Sequence, residues 1–112
     1  MPEKIILVLV KTGPYTTLNS YEALRVAIGL WEHKVTILWT GDGVYSLLKD
    51  ADQTLTSHFH RDLPDLDIEA YYDEEATASR GLTGNDLVSG LKPASSEKIT
   101  DLVMSSEVSL VF

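Results

Sequence analysis

Trp39-Thr40-Gly41-Asp42-Gly43-Val44-Tyr45 is the stretch where an apolar run ends and a helical pattern begins. The residues before it, Val35-Thr36-Ile37-Leu38-Trp39, are β-branched or apolar on both faces, as in a strand covered by helices on each side. Gly41 and Gly43 break that strand by permitting positive φ and close backbone approach, and Asp42 is placed to cap a helix from about Val44 to Lys49. In an open parallel sheet, ligands and partners meet the protein beyond the carboxyl ends of the strands, so function is expected around Gly41 to Tyr45. The same residue types also build an ordinary strand-to-helix turn.

Upstream, Lys-Ile-Ile-Leu-Val-Leu-Val at 4–10 is an almost unbroken apolar run of strand length, and it is expected to be the central strand. Lys11 to Thr17 follows as a loop. It lacks the second glycine and the Lys-Ser/Thr pair of a Walker loop, so phosphate binding is not expected there. Asn19 and Glu22 have the spacing of a capping box for a helix reaching Trp31. Leu24, Ala27, Ile28 and Trp31 make one apolar stripe on that helix, and Ala23, Val26 and Leu30 make a second. More than its sheet-facing side therefore needs cover, and Val26 and Leu30 are candidate contacts with a neighbouring subunit.

Downstream, Leu55, Phe59 and Leu63 mark an amphipathic helix, and Asp67 to Tyr72 a third strand. Asp73-Glu74-Glu75 stands at its carboxyl end, where acids suit the first turn of a short helix, Ala76 to Arg80, stopped by Gly81. Leu87 to Leu91 reads as a fourth strand ended by Pro93. Ser95 caps a helix that turns Ile99, Leu102 and Val103 inward, and Val108 to Phe112 is the fifth strand. Strands alternating with helices predict an α/β fold: one three-layer, flavodoxin-like domain over 1–112, with a mostly parallel five-stranded sheet and right-handed crossovers.

Composition narrows the functions open to such a domain. Nine Lys and Arg against seventeen Asp and Glu leave a net charge of −8, which disfavours direct nucleic-acid binding. There is no apolar run near the roughly 20 residues that span a bilayer, and Met1-Pro2-Glu3-Lys4 lacks the basic start of a signal peptide, so a cytoplasmic location without membrane contact is expected. The absence of cysteine excludes disulfides, thiolate metal sites and thiol chemistry. His58 and His60 flank Phe59, but at i and i+2 of a helix they diverge, so neither a metal nor any other cofactor is expected.

Gly13-Pro14-Tyr15, Tyr21-Glu22-Ala23-Leu24-Arg25 and Gly41-Asp42-Gly43-Val44-Tyr45, in that order and spacing, resemble the DsrE/DsrF family of sulfur-relay proteins. Ala78-Ser79-Arg80-Gly81-Leu82 and Val108-Ser109-Leu110-Val111-Phe112 are similar to the family's ending, particularly in DsrF and TusC. The resemblance implies a small α/β subunit (a DsrE-like fold) in a homo- or hetero-oligomer, often a hexamer, that passes persulfide sulfur in tRNA thiolation or dissimilatory sulfur oxidation. It also implies that the catalytic cysteine belongs at the carboxyl end of the third strand, seven residues before the Arg of the Arg-Gly pair, where this chain has Asp73.

A carboxylate cannot hold the transferred atom in a sulfur–sulfur bond. The resemblance thus implies a DsrF- or TusC-like subunit that shapes the complex without carrying sulfur. Its expected partners are other DsrE-family subunits and, indirectly, a sulfur-carrier protein. Tyr15, Asp42, Gly43, Tyr45 and Arg80 are the expected surface beside a partner's active site, Tyr and Arg supplying contact area and directional hydrogen bonds. The alternative is a small ligand- or cation-binding domain that uses Asp42 with Asp73, Glu74 and Glu75 at adjacent strand ends. Its sharpest version, a receiver domain, needs paired acids directly after the first strand, where Lys11 and Thr12 stand.

Overall fold

The computed structural model describes residues 3–13, 19–49 and 57–112, with the backbone alone at 19, 20, 57 and 58. Its strands are β1 (Ile5–Val10), β2 (Lys34–Trp39), β3 (Glu69–Asp73), β4 (Lys92–Ala94) and β5 (Val108–Val111). All pair in parallel, in the order β4-β3-β2-β1-β5. The helices are α1 (Asn19–Gly29), α2 (Ser57–Asp62), α3 (Glu74–Ser79) and α4 (Ser96–Ser105), with 3₁₀ segments at Gly41–Leu47, Pro64–Leu66 and Gly84–Asp86.

That order explains how the sheet is covered. The chain steps one way from β1 to β4 and then returns to place β5 beside β1, so right-handed crossovers put the first three connections on one face and the last on the other. The apolar clusters agree. Ile6, Val8, Val10, Val35, Ile37 and Trp39 pack with Ala23, Leu24 and Ala27 of α1, while Leu7, Leu38, Tyr71 and Ala94 pack with Ile99 and Leu102 of α4. Helices on both faces of a parallel sheet make the expected three layers, with a strand order unlike the 2-1-3-4-5 of flavodoxin.

Several boundaries differ from the sequence reading. The central strand is β2, not β1: any interior strand needs an unbroken apolar run, so continuity alone does not rank them. The fourth strand is Lys92–Ala94 rather than Leu87 to Leu91. Gly90, at φ 89°, interrupts the earlier segment, which keeps only an antiparallel bridge between Leu48 and Leu87, and Pro93 fits an edge strand. The third strand starts at Glu69, because Asp67 is left-handed at φ 56°.

The helix expected from Val44 is instead the 3₁₀ segment Gly41–Leu47, shown by the Gly43 N–H donating to the Thr40 carbonyl at 2.9 Å. Trp31 is outside α1, which stops at Gly29, and it is 55% exposed instead of completing a stripe. Val103 faces solvent, lying roughly 70° around the helix from the line through Ile99 and Leu102. Leu55 falls outside the described residues, and so does the side chain of Asn19, the expected cap of α1. The Glu22 carboxylate sits 2.6 Å from Arg25 Nη2.

Candidate functional site

Three strand ends converge beyond β1, β2 and β3, and Gly43 sets how closely. A Cβ at Gly43 would overlap the carbonyl oxygen of Val10 and lie 2.8 Å from its carbonyl carbon, so the 3₁₀ segment after β2 rests directly on the end of β1. Only glycine permits that approach. Gly41 has φ 53°, which makes the turn out of β2.

Asp42 does not cap a helix. The segment begins at Gly41 with Thr40 as its N-cap residue, so Asp42 lies inside the first turn and turns outward. Its Oδ1 accepts from Arg80 Nη2 at 2.8 Å and Nε at 3.3 Å. Arg80 ends α3, where its Nη1 also donates to the Ala76 carbonyl at 3.0 Å and to Ser79 Oγ at 3.2 Å. The guanidinium carbon stands 5.8 Å from the centre of the Tyr45 ring, within cation–π range. Asp42 is largely exposed, so the ion pair contributes at most about 1 kcal/mol; its main effect is to fix Arg80 against Tyr45.

Asp73 is held more tightly. As the N-cap of α3 its Oδ1 accepts from the Ala76 N–H at 3.1 Å, and its Oδ2 accepts from Thr40 Oγ1 at 2.6 Å. Its backbone carbonyl accepts from the buried Thr77 hydroxyl at 2.9 Å. The carboxylate thus joins the ends of β2 and β3 and starts α3. Thr40 went unnoticed in the sequence reading because it stands 33 positions from its partner; its one signal is a hydroxyl at the end of a buried strand.

Asp42, Gly43, Tyr45, Arg80 and Asp73 are therefore gathered at one end of the sheet. Tyr15 lies outside the described residues. The acids do not converge: Asp42 faces Arg80, Asp73 faces Thr40 and Ala76, and Glu74 and Glu75 are exposed. Among the described residues no three of His, Cys, Asp or Glu are placed to share a metal ion. His60 stacks on the buried Trp39 at 5.5 Å between ring centres, and burial lowers its pKa to about 4.

Val26 and Leu30 are half-buried, and Leu30 packs on the larger core cluster. No helix among the described residues is long and apolar enough to cross a membrane.

A five-stranded, all-parallel α/β sheet with its polar cluster at the carboxyl ends of β1, β2 and β3 defines the class of protein. The chain belongs to the DsrE/DsrF-like family, whose sequence model matches residues 4–112. Among curated proteins none matches significantly. The crystal structure of the ychN protein from E. coli has a TM-score of 0.82 at 18% identity, covering 99% of this chain and 100% of that one. The structure of MTH1491 from Methanobacterium thermoautotrophicum, described as a protein of unknown function, has a TM-score of 0.66 at 15% identity, covering 92% and 90%. At such identities the likeness is one of fold. Membership of the family supports a role connected with sulfur relay.

Proposed function

We propose that this chain is a one-domain, non-catalytic subunit of a DsrE/DsrF-like complex, in the position of a TusC- or DsrF-type subunit. It supports persulfide transfer by protein–protein contact, in the cytoplasm, for tRNA thiolation or sulfur oxidation. The observation that carries this reading is Asp73. At the end of β3, the place that the family resemblance gives to a persulfide-bearing cysteine, stands a carboxylate occupied by Thr40 and by the first turn of α3. With no cysteine anywhere in the chain, sulfur has no atom to bond to here. What the site offers instead is contact: Tyr45 and Arg80, held together beside Asp42, form an amphipathic patch of the residue types that anchor interfaces.

Two measurements test the reading. Affinity purification from the native source is expected to bring down a cysteine-bearing DsrE-family subunit; recovery of this chain alone would remove the hetero-complex. Asp73→Cys tests the position itself. Its thiolate would inherit the Ala76 N–H and the Thr40 hydroxyl, so alkylation at neutral pH should be faster than that of an unfolded-peptide thiol. A rate no greater than the peptide's means that Asp73 does not correspond to the persulfide position.

A further inference from the structure

A cleft of about 520 Å³ opens between the end of the 3₁₀ segment Gly41–Leu47, the outer half of β3 and the loop leading into β4. Its lining includes Lys49, Tyr72, Asn85, Ser89 and the aliphatic side chains of Leu87 and Leu91. Backbone pairing holds the walls: the Lys49 N–H donates to the Asp86 carbonyl at 3.0 Å, and the Val88 N–H to the Leu47 carbonyl at 2.8 Å. Gly84 shapes the floor, because a Cβ there would come within 2.8 Å of the Tyr72 hydroxyl. The volume lies within the roughly 300–1,000 Å³ of small-molecule sites.

The chemistry of the lining is unusual for this chain. The protein carries a net charge of −8, yet among the described residues no aspartate or glutamate lines the cleft. Of the acids that adjoin the lining in sequence, Asp50 lies outside the described residues, Asp73 faces Thr40 and Ala76, and Asp86 is taken up by Thr83, whose backbone N–H and hydroxyl lie 2.9 and 3.3 Å from Asp86 Oδ2. The Lys49 ammonium, the Tyr72 and Ser89 hydroxyls and the Asn85 amide all have donors to offer. Among the described residues none of these four side chains has a hydrogen bond or ion pair of its own. Buried Leu87 and half-buried Leu91 supply an apolar wall beside them. A cation and three neutral donors over an aliphatic wall match a molecule with an anionic head and an apolar body.

We propose that this cleft binds a small organic anion, a phosphate monoester or a carboxylate, with Lys49 pairing the head group and Leu87 and Leu91 packing on the body. The site stands apart from the sulfur-relay reading, since no residue of 40–45 or 73–80 lines it.

The test is an NMR titration of the ¹⁵N-labelled protein with phenyl phosphate and with benzoate, which separate the two head groups. Inorganic phosphate serves as the head without the body, and phenol as the body without the charge. At least one of the two organic anions should give saturable amide shifts centred on Lys49, Asn85 and Ser89 to Leu91, with a Kd of about 1 mM or tighter. Lys49→Gln, at an exposed position that leaves the fold intact, should weaken that binding about tenfold or more, as expected for loss of a charge-assisted bond. The proposal is overturned by any of three results: no saturable shift from either organic anion, undiminished binding by Lys49→Gln, or equally tight binding of inorganic phosphate or phenol, which would mean an adventitious ion or a merely apolar surface.

Discussion

His60 shows how burial alone gives a side chain a measurable role. It lies against Trp39 with no charged partner among the described residues to favour its protonated form, and desolvation lowers its pKa from 6.5 to about 4. As pH falls through 6.5, the unfolded chain binds a proton at this position while the folded chain does not, so stability drops until about pH 4. Between pH 7 and pH 5 the group costs about 2 kcal/mol. Urea denaturation of the wild type and of His60→Phe, which retains the stacked ring, should show the wild type losing that much more than the variant across this interval. Equal losses would mean that His60 titrates in the folded protein as it does in the unfolded chain. Nothing in the local sequence marks this histidine: its i, i+2 spacing with His58 argues only against a shared metal, and its partner Trp39 is 21 positions away on another element.

At the scale of elements, the 3₁₀ segment after β2 is where sequence and structure part most. Apolar continuity made β1 and β2 legible, and Ser95 marked the start of α4, where its hydroxyl accepts from the Lys98 N–H at 3.2 Å. Gly41-Asp42-Gly43 was legible as a strand end. The conformation that followed was not, because it depends on the end of β1 lying beneath Gly43, a contact that no local pattern reports. The pairs Asp42–Arg80 and Thr40–Asp73 were hidden for the same reason, being 38 and 33 positions apart. Two glycines separate the physical roles. Gly43→Ala should lower stability by at least about 2 kcal/mol, because its methyl meets backbone that has nowhere to move. Gly29→Ala, in the last turn of α1 with nothing within 4 Å, should raise it by about 0.5–1 kcal/mol. Urea midpoints at unchanged slope read both, and a Gly43→Ala protein as stable as the wild type would remove the close approach from the account of the site.

For the molecule as a whole, the question is which surface a partner would cover. Val26 and Leu30, chosen from sequence as contacts of α1, are partly used within the chain, so Leu30→Glu would damage the core along with any interface. Among the described residues the most exposed large apolar side chains are Met104 at 79% on α4, and Trp31 and Val111, each at 55%, the first just past α1 and the second on the edge strand β5. A stable assembly buries upwards of about 1,000 Å², an area larger than the Tyr45–Arg80 patch, and these sides are the candidates to extend it. We expect sedimentation at micromolar concentration to give a mass that is a multiple of 12.4 kDa, and Trp31→Glu to reduce it. Loss of the assembly by Met104→Glu instead would move the interface to the α4 face, and a 12.4 kDa species in the wild type would leave only assembly with a different chain.

The return of β5 to the side of β1 also has a kinetic meaning. The Glu107 carboxylate reaches the Ile5 N–H across 102 positions, so closing that edge of β1 carries the entropy cost of a long loop and is expected late in folding. Until then Ile-Ile-Leu-Val-Leu-Val presents a bare hydrogen-bonding edge of the composition that templates aggregation. Folding of this chain is therefore a race between its own last strand and a neighbour's first, and concentration decides the winner.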